Sequence, residues 1–145
     1  MTLEEFRRSR EVRGTVSALF AFEREMWEGG WEAIQTHQSA DSLLSGSLAA
    51  EQRIGLAALA RSREDSSYTA VKLTEIDSTL AGETAVLHYL IVLKVPGYRT
   101  PKTGSCMSTY SRDASKPSGW AIVAHHYKTL PPKRFREISA GLKSA

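Results

Sequence analysis

Apolar residues recur at helical intervals over the first part of the chain. Val12, Val16, Leu19, Phe20, Met26 and Trp27 are spaced by three, four and seven, which makes one stripe on a long amphipathic helix. Thr2 and Glu5 ahead of the stripe have the form of a capping box, in which hydroxyl and carboxylate satisfy each other's backbone amides. Gly29 and Gly30 end the helix, because paired glycines lose too much backbone freedom to continue it. A short second helix is predicted from Trp31 to about His37. "ADSLLSGS" is a turn or extended segment whose Ser47 caps a third helix over residues 48–63.

From Tyr68 the period changes to two. "YTAVKLTEI", "TAVLHYLIVLKV", "SCMSTYSR" and "WAIVAHHYK" read as strands, with "DSTLAGE", "PGYRTPKTG" and "DASKPSG" as the connections. Strands joined by short loops without intervening helices form an antiparallel meander, and helices first with sheet second is an α+β arrangement. No repeat, linker or low-complexity segment interrupts the chain, so residues 1–145 are expected to be a single domain, with 131–145 a basic C-terminal tail. By alternation, Trp120, Ile122, Ala124 and His126 share one face of the last strand, and Ala121, Val123, His125 and Tyr127 the other. Both faces are largely apolar, so each needs a cover: the helices on one side and a second copy of the chain on the other.

Gly82-Glu83-Thr84-Ala85, Arg112-Asp113, and Gly119-Trp120-Ala121-Ile122-Val123 with His126 resemble the nuclear-transport-factor-2-like superfamily, which includes SnoaL-like and ketosteroid-isomerase-like proteins. The resemblance implies a cystatin-like cone: a curved antiparallel sheet wrapped around the N-terminal helices, a pocket between its concave face and the first helix, and homodimers formed through the convex face. It also implies a lining of Leu87, Tyr89, Ile91, Met107, Thr109, Val123, His125 and Tyr127, with Phe20 or Trp27 from the helix. Tyr89, Ile91, Met107, Thr109, Tyr127 and Trp27 are the ligand-binding candidates. Ile91, Met107 and Tyr127 stand where association-domain members carry pocket arginines, which argues against an anionic ligand. The implied function is binding of a small apolar or aromatic molecule, with acid/base activity of isomerase, cyclase or dehydratase type. The alternative is a non-catalytic dimeric association module with a vestigial cavity.

Among the 145 residues the net charge is +3, and the excess is scattered except in the tail, where Lys128, Lys133, Arg134, Arg136 and Lys143 collect. A solvated tail explains this better than a nucleic-acid surface, so no nucleic-acid partner is expected. Acids stand near the start where a secretion signal would be apolar, and the longest apolar run is broken by His88 and Lys94; a cytoplasmic protein with no membrane partner is expected. Cys106 is the sole cysteine, which excludes an internal disulfide; parity sets it on the convex side as a structural thiol. His125 and His126 leave opposite faces, a strand separates His88 from His126, and His37 has no histidine partner at helical spacing, so neither a metal site nor a cofactor is expected.

For chemistry, His125 is the candidate acid/base, since an unperturbed imidazole titrates near pH 6.5; Tyr89 or Tyr127 would polarise a carbonyl. Steroid isomerisation is disfavoured. Asp41 comes too early, Ser45 or Gly46 stands where the base would align, and Met107, Thr109 and Ser111 supply no acid. A dehydratase-like pairing of His125 with Asp41 or Asp77 stays open. Tyr98, Arg99 and Lys102 belong to an expected rim at the cone mouth.

Overall fold

The computed structural model describes residues 2–29, 36–37, 70–94 and 99–144. Its elements are helix α1 (Leu3–Gly29), strands β1 (Ala70–Ala81), β2 (Thr84–Lys94), β3 (Lys102–Arg112) and β4 (Trp120–Thr129), and helix α2 (Pro132–Ser144). The expected helix over 48–63, the segment 40–47 with Asp41 and Ser45, and Tyr98 lie outside the described residues. Of the expected helix 31–37 only Thr36 and His37 are described, and both are helical.

The capping box forms in both directions: the Thr2 amide donates to Glu5 Oε2 and the Glu5 amide to Thr2 Oγ1, each at 3.1 Å. The helix runs to Gly29. Its inward stripe buries Leu19, Met26 and Trp27, with Val16, Phe20 and Phe22 partly buried against the same core.

The sheet is antiparallel in the order β1-β2-β3-β4, and with the helices it gives the expected α+β cone. β1 extends to Ala81, through residues expected to turn. A two-residue loop then joins it to β2, and Gly82 at its first position has φ 58°, the place and sign that a type II′ turn gives to glycine. β3 starts earlier than the sequence pattern indicates, at Lys102. The basic tail is not a loose extension. Pro132 opens α2, where a missing amide costs nothing. Phe135, Ile138 and Leu142, at spacings of three and four, form a half-buried stripe on it, and Lys133, Arg134 and Arg136 stay exposed. The amide of Leu130 and the hydroxyl of Thr103 exchange hydrogen bonds with each other's carbonyls, at 2.9 and 2.7 Å, and fix the start of α2 to β3.

Two irregularities set which side chains face inward. Glu75 pairs with Tyr89 but Asp77 with His88, so Ile76 is an extra residue in β1. Thr109 pairs with Ala124 but Tyr110 with Ile122, so Val123 is an extra residue in β4. Each bulge inverts the alternation beyond it and increases local twist, which bends the sheet. The expected separation of Trp120 and Ile122 from His125 and Tyr127 is therefore wrong. All four belong to the inner face, since Ile122 lies opposite Tyr110 and Tyr127 opposite Cys106.

At Gly104 the backbone of β3 lies close against β4. A Cβ there would lie 2.5 Å from the Tyr127 ring and 2.7 Å from the Lys128 carbonyl, whereas one at Gly14, inside α1, would meet nothing within 4 Å. Gly104→Ala is expected to destabilise the protein by about 2 kcal/mol or more, and Gly14→Ala to stabilise it by about 0.5–1 kcal/mol. Urea denaturation of the two variants checks both signs.

Candidate functional site

Glu23 lies on the apolar stripe of α1, four residues after Leu19 and four before Trp27, and is 0% exposed. Facing it are the inner residues of the sheet, arranged in rows across the strands. Tyr89, Cys106 and Tyr127 form one row, Leu87, Ser108 and His125 the next, and Ala85, Tyr110 and Ile122 the third. Three hydroxyl groups from these rows reach the carboxyl group. Tyr89 donates to Oε1 at 2.7 Å, Ser108 Oγ also donates to Oε1, and Tyr110 donates to Oε2. One carboxyl group thus fastens α1 to β2 and β3.

The proton directions follow from the donors. The indole Nε1–H of Trp27 lies 2.9 Å from the Tyr89 oxygen and can only donate. Tyr89 accepts from Trp27, so its own proton points to Glu23. Burial raises the Glu23 pKa above the usual carboxyl value, outweighing the hydroxyl hydrogen bonds from Ser108, Tyr110 and Tyr89 that favour the charged form. Burial, reinforced by the nearby Glu23 charge, pushes both tyrosine hydroxyls well above 10, so they remain donors.

His125 completes the cluster. Its side chain is fully buried, with Nε2 4.0 Å from Glu23 Oε1. Neither ring nitrogen has a hydrogen-bond partner among the described residues. Burial, and secondarily the charge of His126, lowers its pKa to about 3. The ring is therefore a neutral imidazole, and its approach to Glu23 is not an ion pair. Trp27 meets both His125 and Tyr127 edge-on at 5.8 Å, and Phe20 meets Tyr89 at 5.6 Å.

Of the residues expected in the lining, Trp27, Leu87, Tyr89, Ile91, His125 and Tyr127 lie on the inner side. Met107 and Thr109 do not. Met107 pairs with His88 and His126 on the outer face and is 46% exposed, and Thr109 shares that face. The β3 register is displaced by one residue from the expectation, which exchanges the faces of the whole strand. Cys106, expected outside, is inside for the same reason, and burial raises its thiol pKa well above 9. Asp77 does not reach His125; its carboxylate lies 3.7 Å from His88 on the outer face. Val123 is the bulge residue. Sequence reasoning missed Glu23, Ser108 and Tyr110. A carboxylate at helical spacing inside an apolar stripe was the available signal.

No protein-family model matches the chain, and no curated protein does. Among solved structures, a "putative ketosteroid isomerase" from Parabacteroides distasonis superimposes with a TM-score of 0.58 over 79% of this chain and 87% of that one, at 14% identity. The chain has a nuclear-transport-factor-2-like fold. Partial overlaps are found with a "putative calcium/calmodulin-dependent protein kinase type II association domain" from Thiobacillus denitrificans, at 14% identity, 52% and 56% coverage and TM-score 0.41. A "nuclear transport factor 2 (NTF2-like) superfamily protein" from Salmonella enterica overlaps at 18% identity, 44% and 49% coverage and TM-score 0.34. Among the described residues, the inner face of β3 carries Cys106, Ser108 and Tyr110, and the carboxyl group that meets them is Glu23 of α1. No helix among the described residues is long and apolar enough to cross a membrane.

The low imidazole pKa has a sign that can be measured. The unfolded chain protonates His125 near pH 6.5 and the folded chain only near 3, so this histidine's contribution to stability is intact above 6.5 and is lost as the pH falls. Glu23, with its raised pKa, acts in the opposite direction, while Tyr89, Tyr110 and Cys106 stay neutral throughout. Between pH 8 and pH 5 the native chain is expected to lose about 2 kcal/mol more than His125→Gln. Denaturation of both proteins at the two pH values tests this.

Proposed function

We propose that this chain binds a small organic molecule inside the cone, at Glu23 and His125, and that Glu23 is the group placed to move a proton. The observation that carries the reading is the buried imidazole with two unpartnered nitrogens, 4.0 Å from a buried carboxyl group. Packing alone does not require this. Apolar residues of similar volume fill such a space at equal or lower free energy, and buried groups with displaced pKa values gather where chemistry or binding occurs. The two candidates also divide the work differently from the expectation drawn from an unperturbed histidine. An imidazole held near pKa 3 is a weak base at neutrality, whereas a carboxyl group raised by burial moves toward the useful range. Tyr89 is committed to Trp27 and Glu23 and acts through the carboxyl group. His125 is the polar contact that a ligand would take up, against the apolar wall of Leu87 and Ile91.

A different observation favours a second reading, an association module whose cavity is vestigial. Trp27, Tyr89 and Tyr110 are each 0% exposed, so the described part of the interior is filled by its own side chains. In either reading a homodimer through the outer sheet face accounts for Met107, exposed in a face that also carries the half-buried Val86 and Val92.

A thermal-shift screen of neutral, cationic and anionic metabolites against the native chain and His125→Ala separates the two. Binding is expected in the native chain and weaker by about tenfold in the variant, with circular dichroism unchanged; equal binding by both would remove His125 from the site, and no hit at all would favour the association module. Light scattering is expected to report a dimer that Met107→Lys converts to monomers. A native monomer at micromolar concentration would contradict the outer-face interface.

A further inference from the structure

The class of ligand follows from the same cluster, and rests on the reading of the cone interior as a binding site. We infer that the group taken beside Glu23 and His125 is the nitrogen of a small organic cation, an amine or ammonium compound with an apolar body.

Hydrogen-bond capacity gives the first reason. An ionised carboxylate has about four acceptor positions. Tyr89 and Ser108 fill both on Oε1, and Tyr110 fills one on Oε2. Among the described residues one position on Oε2 remains, and the neutral imidazole of His125 adds another acceptor beside its single N–H. The unmet capacity is mostly accepting, so the ligand must bring hydrogens, and a protonated amine carries up to three. Charge gives the second reason. The groups bonded to Glu23 are neutral hydroxyls, and the imidazole near it is neutral as well. A buried carboxylate without a countercharge is costly, and a ligand cation supplies one; an anion would face both the carboxylate and the accepting lone pairs. The rings give the third. Trp27, Tyr89 and Tyr127 pack together beside the carboxyl group, and rings of this size accommodate an apolar body. Burial favours the neutral acid of Glu23 in the free protein. Arrival of a cation reverses that preference, so the carboxyl proton leaves to solvent as the ligand binds.

Titration calorimetry of the full chain tests this with three matched probes: 2-phenylethylammonium, 2-phenylethanol and 3-phenylpropanoate. The same trio is repeated with cyclohexyl and methyl bodies. The amine is expected to bind at least about tenfold more tightly than the alcohol, and the carboxylate not to bind. Runs in two buffers of different ionisation enthalpy should show proton release on amine binding that grows as the pH is lowered from about 7 to about 5. Glu23→Gln should lose the preference for the amine and retain the alcohol. Equal affinity for alcohol and amine, an amine preference that survives Glu23→Gln, or an absence of proton release at every pH would each overturn the cation assignment and leave small-molecule binding standing. Failure of all probes to bind would remove both. The proton count is made on the native chain, so the test holds even if Glu23→Gln does not fold.

Discussion

A carboxyl group sealed from water must find its hydrogen-bond partners within the protein, and Glu23 finds them on two different strands. This requirement constrains the cone more tightly than apolar packing does. Leu19, Met26 and Trp27 could slide or rotate against a sheet of aliphatic side chains at modest cost, because dispersion contacts have little direction. A shift of α1 by one residue turns it about 100° and advances it about 1.5 Å, and the three hydroxyls would then no longer reach Glu23. The polar contact therefore selects one rotation and one height of the helix among several that would bury the same apolar area.

The sheet has to be built to match. Ser108 and Tyr110 are two residues apart on one strand, so both point inward, and Tyr89 enters from the neighbouring strand one row away. The bulge at Val123 then lets β4 present His125 and Tyr127 to this cluster at one end and Ile122 and Trp120 to the core at the other. Without the extra residue, one of these pairs would point outward. The irregularity that bends the sheet is thus the same one that brings the imidazole beside the carboxyl group, linking curvature to the site through a single inserted residue.

Much of the architecture was legible in the sequence. The capping box, the stripe on α1 and the four strands all rest on local chemistry with fixed spacing, and each appears in the fold. The interior polar cluster was not legible, for two physical reasons. Strand alternation gives facing only relative to a chosen origin, and β3 is rich in small polar residues with no apolar pattern to set it; the resemblance set Met107 and Thr109 inward, and parity then put Cys106 outside. Bulges leave no fixed mark either, since Val123 and Ile76 are ordinary β-branched strand residues. Glu23 was overlooked because a charged residue on a helix is usually solvated, yet its place between Leu19 and Trp27 on the buried stripe distinguishes it from Glu25 and Glu28, which are exposed.

If the clamp on Glu23 is the organising contact, its parts must depend on one another energetically. A double-mutant cycle between Glu23→Met and Tyr110→Phe measures this most directly. In the native background, loss of the Tyr110 hydroxyl removes a donor from a buried carboxyl group and destabilises; in the Glu23→Met background the same change removes an unpaired hydroxyl and does not. A coupling of about 1–3 kcal/mol is expected by urea denaturation. Additivity of the two substitutions within about 0.3 kcal/mol would contradict it.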